Sequence, residues 1–436
     1  MRTKHIIFFI ALWLVNTNVF GQELLKLQDA INIALTNNYD IKLVKNDVEI
    51  SKNNVNLGNA GILPAAVGSF STGGSRQNTV QTQSTGTQRV TDGARSTNMS
   101  YGVGLDWTVF DGFKMFANLD RLKALEQQGQ ISLKSRILTT ISDVINAYYT
   151  IAKQQQLVAA SDSAMDISNL RMTIANNKLE IGKGSKLDVL AAQVDYNSDT
   201  SSYLQQKNLL GIYIVNLNQL LARDPKIKFT VQNQIDIDKN LVYTSLVEQS
   251  TALNPALQNA FINKKIADLN LKQVKADRYP QIRLNTGYEF NRSTSPTGFN
   301  TSFKANGLTY GLTASLNIFN GFLQKKNEQN AKVEINSSEL NLNKVKQEVI
   351  SQLATTYQNY STYLELVKLE RKNIEIAKQN LDITLEKYRL GSITPIILRE
   401  AQKNAIDANS RYVEMQFQAK LAEIALKELS GTLNIQ

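Results

Sequence analysis

Met99-Ser100-Tyr101-Gly102-Val103-Gly104-Leu105-Asp106-Trp107-Thr108-Val109, followed at once by Phe110-Asp111-Gly112-Phe113, is the stretch on which the fold turns. Its odd-numbered residues from Met99 to Val109 are apolar, and the five between them are small or polar. Strand side chains alternate between two faces, so this period of two predicts a strand with one apolar face. Two other segments alternate in the same way. Ile282, Leu284, Thr286, Tyr288 and Phe290 interleave with Gln281, Arg283, Asn285, Gly287 and Glu289. Leu308, Tyr310, Leu312, Ala314, Leu316 and Ile318 interleave with Gly307, Thr309, Gly311, Thr313, Ser315 and Asn317. A fourth strand, near Ala65 to Gly74, alternates poorly. Roughly ten residues is the length of a transmembrane β-strand. A soluble sheet with one wet face alternates identically, and only length, aromatic content and a secretory context favour the membrane. Ser75–Thr97 and Ser293–Ala305, rich in Ser, Thr, Asn and Gly, are expected to be exposed loops at the hairpin tips.

The chain is a duplication. Phe110-Asp111-Gly112-Phe113 returns as Phe319-Asn320-Gly321-Phe322, 209 positions later. The same offset pairs Tyr148 with Tyr357, Leu157-Val158 with Leu366-Val367, Gly182 with Gly391, and Gln193 with Gln402. Upstream the offset is 216, pairing Asn38 with Asn254 and Pro64 with Pro280. The change falls between the two strands of each half, where exposed loops tolerate insertions.

Each half then predicts a helix, two strands, a long helix, a glycine turn and a returning helix. Ala30, Ala34, Asn37, Ile41, Val44 and Val48 step at helical spacing up to Pro64. Ile137, Ile141, Val144, Tyr148 and Ile151 form a heptad seam, as do Ile374, Ala377, Leu381, Thr384 and Tyr388. Ala401, Ala405, Ala408, Tyr412, Met415, Ala419, Ala422, Leu426 and Leu429 extend it through the last helix. A sustained 3.5-residue period means helices that supercoil around partners. Helices alone also allow an ordinary coiled-coil rod. Asp111 and Asn320 suit helix caps, and Gly112 and Gly321 suit a sharp strand-to-helix bend.

Composition narrows the chemistry. There is no cysteine, and the only histidine is His5. That excludes disulfides, thiolate metal sites, Cys nucleophiles and Ser-His-Asp catalysis. No enzyme, metal or cofactor is expected. His5 lies inside a basic head followed by the apolar run Ile6 to Val15, which predicts a signal peptide over 1–21 with cleavage before Gln22. The net charge of +10 comes from Lys and Arg scattered along helix faces, so no nucleic-acid partner is expected. After Gln22 no apolar run is long enough for a membrane helix, so any span must be built of strands. Four strands do not close a pore, and lipid does not tolerate open sheet edges. If these strands meet lipid, protomers must pool them.

Two turn motifs complete the pattern: Leu179-Glu180-Ile181-Gly182-Lys183-Gly184-Ser185-Lys186-Leu187-Asp188-Val189-Leu190, and Tyr388-Arg389-Leu390-Gly391-Ser392-Ile393-Thr394-Pro395-Ile396-Ile397-Leu398. With the duplicated helix–strand–strand–helix–turn–helix unit and the Phe-Asp/Asn-Gly-Phe corners, the chain from Leu24 to Leu433 resembles the TolC-type outer-membrane efflux channels. The resemblance implies an α+β membrane protein of the outer membrane and periplasm. Long antiparallel coiled-coil helices would form a periplasmic tunnel, and four transmembrane strands per protomer would join a trimeric twelve-stranded β-barrel. It implies two structural repeats, 22–222 (β-hairpin 65–110, helical tip 182–186) and 243–436 (β-hairpin 281–319, tip 390–395), joined by an equatorial segment at 223–242. The implied partners are two further copies, outer-membrane lipid, a periplasmic adaptor, and an inner-membrane pump of the RND or ABC type. The turns, with Gly182, Lys183, Gly184, Ser185, Leu390, Gly391 and Ser392, would meet the adaptor. Asp188 and Tyr388 match members of the family's closing network. Glu400 falls at an acidic constriction position. Ile393 and Ile397 stand where some members have an arginine and an aspartate, which weakens the expected lock. Cargo is not implied. The alternative is a soluble periplasmic coiled-coil scaffold or adaptor without a pore, although adaptors carry one helical hairpin and this chain carries two.

Overall fold

The computed structural model describes residues 23–297 and 300–433, so the expected signal peptide at 1–21 lies outside the described residues. Six strands and nine helices are found among them, and none of those helices is long and apolar enough to cross a membrane. In chain order they are β1 (Glu23–Leu25), α1 (Leu27–Asn37), α2 (Tyr39–Asn54), α3 (Leu57–Ala60), β2 (Ala65–Thr82), β3 (Gln88–Phe110), α4 (Lys114–Glu180) and α5 (Lys186–Leu220). There follow β4 (Phe229–Val231), α6 (Tyr243–Leu253), α7 (Pro255–Ala276), β5 (Gln281–Thr294), β6 (Ser302–Ser315), α8 (Leu323–Arg389) and α9 (Pro395–Leu429). The chain forms two compact units, each drawing on both repeats. One comprises Lys45–Ser132 with Gln258–Val345. The other comprises the described residues up to Val44, Leu133–Leu257, and those from Lys346 on.

The first unit is built on an antiparallel sheet in the order β2-β3-β5-β6. Tyr101 pairs with Phe290 and Phe70, and Val103 pairs with Tyr288 and Gly68. Directly paired residues share a face, so the apolar residues read from the sequence collect on one side. Asp106, Asn285, Gly102 and Glu289 lie on the other. The expected loop at 75–97 is not a loop. β2 and β3 stay paired from Ala65↔Asp106 to Thr82↔Gln88, well past the last β3–β5 pair at Thr97↔Thr294. Ser, Thr and Gln lack apolar alternation yet tolerate extended backbone, and the ladder itself holds them. The second hairpin is also longer at its tip than expected and shorter at its base, since β6 ends at Ser315.

Both strand-to-helix corners repeat one geometry. Gly112 and Phe113 take φ of 71° and 68°, and Gly321 and Phe322 take 64° each. Left-handed backbone strains a phenylalanine. Each strained ring packs edge-on against the Phe three positions earlier, Phe113 on Phe110 and Phe322 on Phe319, at 5.3 Å. Asp111 carboxylate oxygens accept from Met115 N–H, and Asn320 Oδ1 accepts from Gln324 N–H.

In the second unit, β1 and β4 pair in parallel, Glu23 to Leu25 against Phe229 to Val231 within the segment that links the repeats. Phe229, Val231 and Ile235 bury against Ile141, Val144, Tyr148 and Ile151 of the heptad seam. The Tyr148 hydroxyl donates to Leu25 O at 3.1 Å and accepts from Gln232 N–H at 3.1 Å, tying both strands to α4. The helix expected from Ala30 to Val48 is two helices, broken at Asn38. Asn38 Oδ1 caps α2 through Asp40 and Ile41 N–H, while Nδ2 donates to Leu220 O. Asn254 repeats this, capping α7 through Ala256 and Leu257 N–H and donating to Leu429 O at 2.9 Å. Each asparagine thus starts one helix and finishes another. Asn254 is 5% exposed. Asn254→Ala is expected to cost about 2 kcal/mol, because it strips a cap and leaves a partly buried carbonyl, Leu429 O, without its donor. A thermal melt followed by circular dichroism checks this, and an unchanged midpoint refutes it.

Candidate functional site

Two glycine turns in the helical unit hold the residues singled out by sequence. Helix α4 ends at Gly182, φ 72°, with Gly182 N–H donating to Leu179 O and Lys183 N–H to Lys178 O. Helix α8 ends identically at Gly391, φ 77°, with Gly391 N–H donating to Tyr388 O and Ser392 N–H to Lys387 O. These doubled bonds satisfy the last carbonyls of each helix and require the left-handed conformation that glycine supplies. The next helices start differently. Ser185 caps α5 in a full capping box: its Oγ accepts from Asp188 N–H, and Asp188 Oδ2 accepts from Ser185 N–H and Oγ–H. Thr394 makes no side-chain cap; Pro395 follows it with a φ already suited to the first position of α9.

Asp188 is exposed, and the Ser185 hydroxyl and then its N–H hold the carboxyl below its ordinary value of 3.8. The capping box is therefore intact above that value and lost as pH falls through the lowered one. Tyr388 is 3% exposed, and burial pushes its phenol up. The Lys178 ammonium lies 4.5 Å from its ring centre and donates to Tyr388 O at 3.3 Å. Asp188 is thus engaged by Ser185 and Tyr388 by Lys178; no hydrogen bond joins the two among the described residues. Glu400 is exposed and without an ion pair among the described residues. Large aliphatic side chains stand out at both turns: Ile181 is 67%, Leu187 74%, Leu390 83% and Ile396 77% exposed.

A polar network that sequence reading missed binds the two helical hairpins within this unit. Arg399 of α9 grips Asp199 of α5 with both ends of its guanidinium, at 2.6 and 3.0 Å, and lies 3.7 Å from Asp195. Ser168 donates to Asp199, and Arg171 pairs with Asp195, both from α4. Gln402 Nε2 reaches Ala164 O, Ser168 Oγ and Asp199 Oδ2 at 2.8, 3.0 and 3.2 Å. Asp199, Arg171 and Gln402 are 8%, 3% and 1% exposed. The available signal was three polar pairs one turn apart, Ser168/Arg171, Asp195/Asp199 and Arg399/Gln402, interrupting apolar seams. The repeat itself concealed them, since Gln193, the counterpart of Gln402, is exposed and donates to Asn197. Beside the network the alanine seam leaves a groove of about 410 Å³, lined by Ala159, Ala160, Ala164, Ile374, Leu381 and Ala405 among others.

Known proteins resemble this chain in sequence and in fold. The family described as Outer membrane efflux protein matches residues 30–223 and 246–432. The chain is 18% identical to the outer membrane protein TolC of Salmonella enteritidis, over 80% of this chain and 72% of that one. It is 21% identical to the toluene efflux pump outer membrane protein TtgC of Pseudomonas putida, over 93% and 82%. In fold it is similar to the outer-membrane channel OprN, with a TM-score of 0.76 and 15% identity, over 93% and 89% of the two chains.

Proposed function

The chain belongs to the outer membrane efflux protein family, a family of channels and not of enzymes, and from that premise we propose that three copies assemble into one export conduit. It is an outer-membrane export channel that extends into the periplasm, and the soluble-scaffold alternative is not favoured. The observation that carries the assembly is the four-stranded sheet with β2 and β6 as free edges and one apolar face. Lipid does not tolerate free edges. Two copies would supply eight strands, whose interior side chains fill; three is the smallest number that leaves a lumen. Unheated outer-membrane samples are expected to migrate in a detergent gel at three times the mass of boiled ones. Migration as a single chain in both would refute the assembly.

In this proposal the glycine turns are the periplasmic end. Gly182, Lys183, Gly184, Ser185, Leu390, Gly391 and Ser392 meet a periplasmic adaptor, which links the channel to an inner-membrane pump of the RND or ABC type. The exposed Ile181, Leu187, Leu390 and Ile396 support this, because apolar side chains at a polar turn favour a covered surface. Asp188, Tyr388 and Glu400 form the constriction. Three Glu400 side chains, exposed and unpaired among the described residues, would attract cations. Glu400→Gln is expected to lower the cation-to-anion permeability ratio about fivefold, the equivalent of ~1 kcal/mol for one charge at close range in water. Reversal potentials in a planar bilayer measure it, and an unchanged ratio removes Glu400 from the pore.

A further inference from the structure

The register of the sheet places charges on its lipid-facing side in a way that hydropathy does not reveal. On that face β3 carries Trp107, Leu105, Val103 and Tyr101, and β5 carries Leu284, Thr286, Tyr288 and Phe290. Tyr101 and Phe290 stack with ring centres 4.9 Å apart, and Phe290 also packs on Tyr288 at 5.2 Å. Aromatic rings gathered at one end of an apolar band mark the membrane–water interface. The hairpin turns lie beyond them, at the strand ends away from the helices. With the helices extending into the periplasm, this is the outer-leaflet side.

Two residues past that aromatic row, ~7 Å along the strand, Arg292 and Lys304 face each other across β5 and β6. Farther out on the same face Arg76 and Arg95 are directly opposed across β2 and β3. Like charges set directly across a ladder repel. None of these four exposed cations has an ion pair among the described residues. The carboxylates of the four-stranded region, Asp106 and Glu289, lie on the opposite face. Two repelling cation pairs, stacked outward from an aromatic row on a lipid-facing surface, match an array of phosphates at the headgroup level.

We propose that these residues bind the phosphates of the outer-leaflet glycolipid, Arg292 and Lys304 at the headgroup and Arg76 and Arg95 at the sugars beyond it. The surface is then a lipid-binding collar, which anchors the long β2–β3 ribbon against the membrane. It rests on the barrel assignment, which channel conductance of the same preparation tests separately.

The assembled protein in detergent is titrated with diphosphoryl lipid A, with its dephosphorylated form, and with inorganic phosphate alone. Diphosphoryl lipid A is expected to bind at least tenfold more tightly than the dephosphorylated lipid, and millimolar inorganic phosphate is not expected to displace it. The variant R76Q/R95Q/R292Q/K304Q is expected to lose that tenfold preference while conducting like the parent, and Arg292→Lys is expected to keep it. Equal binding of both lipids, equal binding by the neutral variant, or displacement by free phosphate overturns the proposal.

Discussion

Replacing Arg399 by methionine is expected to loosen the helical unit and to increase the time the channel spends conducting. Two arginines, 171 and 399, face two carboxylates, 195 and 199, in a region where Asp199 and Arg171 are almost fully covered. The hydrogen bond to Asp199 holds the Arg399 guanidinium above its usual range, so the arginine keeps its charge. Arg399→Met leaves Asp199 with Ser168 and Gln402 as its partners among the described residues, and with a surplus negative charge. Removing one member of a fully buried pair costs about 3–5 kcal/mol. The Arg399 side chain is 30% exposed, and solvent screening reduces the expected loss to about 2 kcal/mol.

The network joins α4 and α5 of the first repeat to α9 of the second, so its loss frees one hairpin to move against the other. Expected results are a lower thermal midpoint and longer open dwell times in single-channel records. Arg399→Lys keeps the charge but cannot make the two-pronged contact, and is expected to fall between. Combining Arg399→Met with Asp199→Asn is expected to do less damage than the sum of the two, because both remove the same contact. Strict additivity with parental dwell times would show that the pair holds nothing shut.

The features that sequence reading recovered are those the molecule uses twice. Tyr148, Asn38, Gly182 and the Phe-Gly corners each perform a backbone task, and their partners Asn254, Gly391, Gly321 and Phe322 perform it again. Tyr357 likewise donates to a carbonyl of the connecting segment, Leu241 O at 3.4 Å. Residue type is constrained at such places, so the offset survives. The β2–β3 ribbon escaped because Ser, Thr, Gln and Asn carry no signal at period two; its strands are held by each other's backbone. The Arg399 network escaped for a different reason. Its members come from helices far apart in the chain, and only packing brings Asp199 to Arg399. The cation pairs of the sheet needed register: Arg76 and Arg95 look unrelated until the ladder sets one opposite the other.

Duplication also makes the corners a matched pair for the second large effect, Gly112→Ala against Gly321→Ala. Both glycines have positive φ, 71° and 64°, so alanine at either position bears the left-handed penalty of about 1–2 kcal/mol. Their surroundings differ. A Cβ on Gly112 would fall inside contact distance of Ala276 O and 2.8 Å from Tyr279 Cβ, where α7 ends against the corner. A Cβ on Gly321 meets nothing within 4 Å. Backbone carbonyl and a Cβ do not swing aside as a long side chain does, so the corner itself must shift. Gly112→Ala is expected to cost about 3–5 kcal/mol in total, and Gly321→Ala no more than about 2. Because the corner aims β3 into the sheet, the larger loss is expected to appear as a failure to form the heat-modifiable oligomer, with Gly321→Ala assembling nearly as the parent does. Equal yields of oligomer from the two variants would mean that α7 does not brace the first corner.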